Sequence, residues 1–551
     1  MARWHRFKRS YEDAGNVTAP QAAPRRSCDA RAHRARRPDM RALLPMLCLL
    51  ATGAGAGECE RPGDTLFASG FERVPVQAYY VAPTGADSND GSLAAPWRTL
   101  QHAVDLADAG TVVCVREGVY NELVTLTRSG SAAAGPIVLQ AVPGEAAVID
   151  GAGLPIPDGQ YGLLTLIDVS HVIVRGLELR NYVTASTAKV PIGLYLTGAG
   201  SHIRLLDNHI HDIRNTGNGC AANAFGLKVD GTRAPESIRQ LVIAGNEIDS
   251  LVLGCSESLS LDGNVEHWII SDNLVHDTNN IGIGAIGFEG VAPNPAWDQA
   301  RDGVISGNIV YNISSYGNPA YGNEYAADGI YVDGGTRILI ERNRVHHVDI
   351  GIEVASEHAG RTSSEVIVRN NLVYFGNSAG ISIGGYAAGV GGSSQVTILG
   401  NTLFHNDRQD TGSGEFQIQF HASDNRFANN LVYAGAAGVL VSAWTGDTPS
   451  PAVLDHNLYY SDAGAADSYW VWRGVEYDSL AGYRTGAGQD AHSPFADPLL
   501  LDPLLPDLRL DAGSPAIDAG SIAGSLPVGP LDFGGRARVR GNAIDIGAWE
   551  H

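Results

Sequence analysis

Lysine is nearly missing from this 551-residue chain: after Met40 it occurs only at Lys189 and Lys228, although arginine is common throughout. Charged residues make up 18% and aromatic residues 7%, against 67 glycines. That profile argues against a helical or disordered chain and suits a turn-rich β protein. Long apolar runs are also scarce. MRALLPMLCLLATGAGA (40–56) has a basic start, a brief apolar run and small residues at its end. It is too short to span a membrane and reads as a signal peptide. No membrane span is therefore expected, and the protein should be exported: secreted, periplasmic or at the cell surface. Residues 1–39 read as a basic extension or a mis-assigned start, with translation beginning at Met40.

The net charge is −22, yet residues 1–41 carry eleven Arg or Lys against four Asp or Glu, so the remainder holds about −29. Such a body repels nucleic acid and anionic membranes. It can take an anionic polymer only where a cation bridges the charges. Of six cysteines, Cys28 and Cys48 fall in the leader region. Cys220 and Cys255 each follow a glycine shortly before similar strand motifs, so a disulfide between them is expected, with free thiols as the alternative. No cysteine spacing points to zinc.

A short motif recurs along the chain as LLDNHIHDI, VIAGNEIDS, IISDNLVHD, VISGNIVYN, LIERNRVHH and onward to VLDHNLYYS. Its central Asn falls at 208, 246, 273, 308, 343, 371, 401, 430 and 457, with gaps between 27 and 38 residues. Apolar residues flank each Asn with period two, the signature of strands. A second strand type lies between these motifs, as in GLKVDG, LSLDG, IGFEG, GIYVDGG, GIEVAS and GISIGG. Short strands repeated at this spacing describe a solenoid whose coils bury apolar residues only by stacking. A right-handed parallel β-helix fits best over residues 79–460, after a linker at 57–78. A β-propeller needs longer repeats and more aromatics. The asparagines should stack as an amide ladder at a turn, where Asn also tolerates a left-handed backbone. Near the start, Thr99 is a plausible N-cap for a helix whose face of Leu100, Ala103, Val104 and Ala107 would plug the first coil.

The opening YYVAPTGADSNDGSLAAPWRTLQHAVDLADAGTVVCVREGVYNE resembles that of secreted β-helix proteins, including calcium-dependent pectate lyases, alginate lyases and β-helix glycosidases. The C-terminal DPLLPDLRLDAGSPAIDAGS…DFGGRARVRGNAIDIGAWE resembles the closing module described as choice-of-anchor Q, giving a module over 461–551. TLFASGFE (65–72) is similar to a short tag of exported proteobacterial proteins. The lyase resemblance implies a lysine base and acidic calcium ligands, without an extended motif that carries them over residue by residue.

Taking Leu227 and Val229 as inward leaves Lys228 and Asp230 outward. The same parity in later coils gives one outward column of Lys228, Ser260, Gly287, Tyr331, Glu353, Ser382 and Gln417. The other reads Asp230, Asp262, Glu289, Asp333, Ala355, Gly384 and Gln419. Four carboxylates then share a register over roughly 15 Å and need a cation, a shared proton or the Lys228 ammonium between them. The long insertions beside them carry Trp297, Tyr316, Tyr321 and Tyr325, suited to stacking on sugar rings. His421 continues the outward parity several coils away. Glu353, Glu357 and His358 are candidate acid/base groups or a surface turn, and His209, His211, His276, His346 and His347, which trail the Asn ladder, should decorate one turn. Asp before Gly is also ordinary turn chemistry, and a lysine beside an aspartate is commonly a simple ion pair.

Three functions compete on these residues. The first is a lyase that cleaves a uronate polymer by β-elimination, with calcium on Asp230, Asp262, Glu289 and Asp333 and Lys228 as base. Tyr331 and Glu353 are further catalytic candidates, with Gln417, Gln419 and His421 as substrate contacts. The second is a glycoside hydrolase using paired carboxylates such as Asp262/Glu289 or Glu289/Asp333. The third is a non-catalytic glycan-binding surface protein. All three take a polysaccharide as partner and need no second subunit, so a monomer is expected.

Overall fold

A computed structural model describes residues 77–551. The basic extension, the expected signal peptide, almost all of the linker, and Cys28, Cys48 and Cys59 lie outside the described residues. No helix among the described residues is long and apolar enough to cross a membrane.

Three long sheets run through residues 77–477, and within the coils each strand pairs in parallel with the strand one coil away. The order of visits, one strand per sheet per coil, is that of a parallel β-helix. Val, Ile and Leu at alternate positions point inward and form one continuous core from Val81 to Tyr483. Each coil buries its apolar side chains against its neighbours because a single coil has no inside of its own.

The asparagine ladder is present and buried. Asn246 donates its amide to Asn273 at 2.9 Å, Asn273 to Asn308 at 2.9 Å, and Asn308 to Asn343 at 2.9 Å. Each acceptor oxygen also takes the backbone N–H of the donating Asn, as Asn343 does from Asn308 at 3.0 Å. The left-handed residue of the turn is the one before the ladder Asn: Asp207, Gly245, Asp272 and Gly307 have φ of 53°, 68°, 57° and 68°. The ladder Asn must keep an ordinary backbone so that both its amide and its N–H meet the neighbouring coil. Asn457 ends the row by donating to Asp490 at 3.0 Å and to Ser493 Oγ at 2.8 Å.

Both ends of the core are closed. Helix α1 (Leu100–Leu106) is capped by Thr99, which accepts from His102 N, and buries Leu100, Ala103 and Val104. At the other end the coil continues past 460 into Tyr469–Trp472, and the antiparallel strand Val475–Tyr477 stops the sheet. Helix α2 (Leu480–Ala487) sets Tyr483 against Trp470, ring centroids 5.9 Å apart. The remaining chain lies along the outside of the later coils, where Asn370 donates to Leu531 O at 2.9 Å and Ala548 N donates to Thr402 at 3.0 Å. Cys220 and Cys255 form a disulfide, as expected.

Candidate functional site

The sheet that carries Lys228 runs through β1 (Phe225–Gly231), β2 (Leu259–Gly263), β3 (Ile283–Ile286), β4 (Asp328–Asp333), β5 (Ile350–Ala355), β6 (Ala379–Ile383) and β7 (Phe416–Ile418). Inward and outward residues of β1, β2, β4 and β5 are all buried, because loops roof the outer face. Lys228 pairs with Ser260 and Asp230 with Asp262, as the alternation predicts. Farther on, Tyr331 pairs with Glu353, Glu353 with Ser382, and Ser382 with Gln417.

The middle coil departs from expectation. Ser260 pairs with Gly284, and Ile286 with Asp333, so Gly284 and Ile286 hold the places assigned to Gly287 and Glu289. The strand stops at Ile286, Phe288 takes φ of 72°, and Gly287 forms an antiparallel bridge to Gln299. The carboxylate row is therefore Asp230 and Asp262, then an isoleucine, then Asp333. Two strand steps separate Asp262 from Asp333, about 10 Å.

Two acidic groups result. In the first, Lys228 Nζ donates to Gln160 at 2.8 Å and lies 3.2 Å from Asp230 Oδ1 and 4.5 Å from the Phe225 ring centre. Asp230 Oδ2 accepts from Tyr195 OH at 2.8 Å. Asp262 Oδ1 is buried without a hydrogen-bond partner. Burial first, and the carboxylates of Asp230, Glu257 and Glu289 next, push the Asp262 carboxyl up to about 8 against the pull of Lys228. Glu257 was not singled out from the sequence. It reaches in over Gly284, where an added Cβ would meet Glu257 Cγ at 2.9 Å, and burial pushes its carboxyl up to about 7.

The second group gathers around Asp333. Its Oδ1 accepts the Glu357 backbone N–H at 2.8 Å, and burial with neighbouring Glu357 and Glu289 raises its carboxyl well above the usual range. His358 Nε2 lies 3.3 Å from Glu289 and 4.0 Å from Asp333. Glu289 thus returns to the site from the turn rather than from the sheet. The buried Tyr331 hydroxyl donates to Glu357 at 3.1 Å. Glu353 accepts from Ser382 at 2.9 Å and from Gln419 at 2.8 Å, and burial pushes it up to about 7. Asp328, at the start of β4, is hydrogen-bonded to Glu353 and raised by burial and by that neighbour. A cleft of about 430 Å³ opens here between Phe288, Pro295, Asp298, Glu357, His358 and Arg361.

The other sequence candidates divide. Tyr321 is largely buried, with Glu357, Glu257 and Asp328 as its charged neighbours, so it belongs to the roof of the site. Tyr316 and Tyr325 instead stack on each other at 4.9 Å, and the charged neighbour of Tyr325 is Asp349. Trp297 packs on Arg301, 5.3 Å from the guanidinium carbon to the ring centre, and Arg301 pairs with Glu266 at 2.7 Å. Gln417 and Gln419 are occupied with Ser382 and Glu353, which makes them positioning residues. His421 is left-handed, φ 56°, and turns to Asp447 and to Ala388 O rather than continuing the column. Strand β7 ends at Ile418, so parity no longer governs it.

The uncharacterised protein YwoF of Bacillus subtilis is 38% identical over 437 residues, 79% of this chain and 91% of that protein. The chain belongs to the YwoF family. Residues 79–237 match the family described as "Pel9A-like, right handed beta helix region", and residues 296–477 match a "right handed beta helix region". Pectate lyase PEL9 of Emericella nidulans is 33% identical over 148 residues, 25% of this chain and 34% of that protein. Among solved structures, pectate lyase Pel9A matches 87% of this chain and 97% of its own, with a TM-score of 0.45 and 16% identity. The GH136 lacto-N-biosidase of Eubacterium ramulus matches 70% of this chain and 64% of its own, with a TM-score of 0.47 and 15% identity. The protein is a right-handed parallel β-helix with a pectate lyase among its relatives.

Proposed function

We propose that the protein is an exported, calcium-assisted polysaccharide lyase that cleaves a uronate-containing polymer by β-elimination. One observation carries the reading: a buried lysine stands beside two carboxylates in register, one of which has an oxygen with no partner. That orphaned oxygen, on a carboxyl pushed up to about 8, fits a bound cation. Asp230 and Asp262 are the residues that would hold calcium. Glu289, Asp333 and His358 offer a second set, each with one ligand atom within 4.8 Å of the others. Bound calcium supplies positive charge for the substrate carboxylate and so acidifies the adjacent C5 proton.

The chain's own residues supply the rest. Asp230 is the counter-ion of Lys228, and calcium held by this carboxylate would compete for it and release Nζ toward the substrate. Lys228 Nζ accepts the C5 proton, the C–H electrons form the C4–C5 double bond, and the C4–O bond breaks. Glu257, protonated up to about pH 7, gives the departing oxygen its proton. Arginine cannot replace Lys228, because a guanidinium hardly deprotonates. The Cys220–Cys255 disulfide supports an oxidising, extracytoplasmic location.

The hydrogen-bonded pair Asp328 and Glu353, with Asp333 close to Glu357, favours a glycoside hydrolase as the second reading, since paired acids of raised pKa suit proton sharing. Near-ultraviolet absorbance separates the two. Pectate, alginate, glucuronan and hyaluronan are incubated with the protein in calcium or in chelator, beside Lys228→Ala. A calcium-dependent rise that the substitution abolishes supports the lyase. Reducing ends without that rise move the assignment to hydrolysis.

A further inference from the structure

We propose that Asp455, His456 and His492 form a second metal site, for a divalent transition metal such as zinc, which fastens the closing segment to the last coil. It shares no residue with the acidic groups described above and does not depend on the sugar chemistry assigned to them. Asp455 ends the strand Ala452–Asp455 of the last complete coil, while His492 arrives from the segment after α2.

One carboxylate oxygen of Asp455 is already used. Oδ1 accepts the backbone N–H of His456 at 2.9 Å and of His492 at 2.8 Å. The other oxygen is thereby aimed at two imidazoles: His492 Nδ1 lies 2.7 Å and His456 Nδ1 3.3 Å from Oδ2. The two rings stack with centroids 4.8 Å apart. Each of the three residues offers a ligand atom within 4.8 Å of the others. Among the described residues no arginine or lysine forms an ion pair with Asp455; both of its ion pairs are to histidine.

The distances suit zinc. Bonds of about 2.0–2.1 Å place neighbouring ligands of a tetrahedron about 3.3–3.5 Å apart. The His456–Asp455 pair stands at that spacing, and the His492–Asp455 pair needs to open by roughly half an ångström. Two imidazoles and one carboxylate form a borderline-soft set that transition metals prefer, whereas calcium takes oxygen ligands. A water completes the fourth position.

The ladder terminus Asn457 is capped by Asp490 and Ser493 from the segment that carries His492. A metal bound only when that segment is docked stabilises the closed end by mass action.

The test uses the full chain stripped of metal. Zinc binding is followed by equilibrium dialysis and by the shift in Tm, with Co²⁺ absorption as a read-out of tetrahedral coordination. His492 has a side chain 66% exposed, so His492→Ala leaves the core intact. The comparator is His209→Ala, at a different histidine–carboxylate contact. Zinc is expected to raise Tm, and His492→Ala and His456→Ala are each expected to remove one bound equivalent or weaken it at least tenfold, while His209→Ala leaves this equivalent in place. The proposal is overturned if no zinc binds, or if stoichiometry and Tm shift are unchanged in both variants.

Discussion

Lys228 is one of two lysines in the body of the chain, and its surroundings give the choice a chemical reason. It is buried beside Asp230 and Gln160 under a roof of loops, where an arginine would be permanently charged. Lys228→Ala and Lys228→Arg should each lower kcat by about 10²–10⁴, the usual loss for a general base, with KM changed far less. The raised carboxyls make a second prediction. Asp262 and Glu257 bind protons more tightly in the folded than in the unfolded chain, Asp262 up to about 8 against 3.8. Their contribution to stability is fully present below the unfolded value and lost as pH rises through the folded one. The metal-free protein should therefore lose several degrees of Tm between about pH 5.5 and 8.5, and calcium should flatten the loss. A Tm that rises over this window in chelator would remove the basis for a cation at Asp262. Activity should also fall above about pH 7, as Glu257 gives up the proton it is assigned to donate.

At the scale of strands and turns, the alternation and the recurring Asn made the sheets legible. The run IGIGAIGFEG did not yield its register, because two readings satisfy period two. Ile283 with Ala285, or Ile286 with Phe288, can each be taken as the inward pair, and only pairing with β2 and β4 decides for the first. Glu257 and Asp328 were missed because neither lies in the two columns that parity traces, Glu257 in the loop before β2 and Asp328 at the start of β4, whereas Tyr195 pairs with Lys228 and extends the first column one coil earlier than the parity was followed. The Cys220–Cys255 pair was legible because equivalent positions in successive coils are adjacent in space. Gly284 offers a direct test of the site's assembly. Its backbone is ordinary, so Gly284→Ala should cost only the overpacking, about 1–3 kcal/mol, while its Cβ displaces Glu257 and lowers activity at least tenfold. Unchanged activity would take Glu257 out of the mechanism. Asn308→Ala, inside the ladder, removes five side-chain hydrogen bonds, two accepted from Asn273 and three donated to Asn343, Ile270 O and Ser306 O, and leaves partners buried, so it should cost at least about 2–3 kcal/mol by urea denaturation. A cost below about 0.5 kcal/mol would mean that the coils stack without the ladder.

Across the whole molecule the fold follows from repetition, whereas the function depends on a few departures from it. Uniform coils would give an inert rod. The chain interrupts the carboxylate row with Ile286, opens room at Gly284 and roofs the outer face with the insertions that carry Tyr321 and Glu289. The body's excess of negative charge disfavours an acidic polymer everywhere except where a cation is held. The most direct test of the central claim is to digest a uronate polymer in ¹⁸O-water with calcium and weigh the products. The lyase account predicts fragments with an unsaturated non-reducing end and no ¹⁸O incorporated by cleavage, lost in chelator and with Lys228→Ala. Saturated fragments that carry one ¹⁸O per cleavage, formed equally well in chelator, would contradict it and assign the reaction to the paired carboxylates.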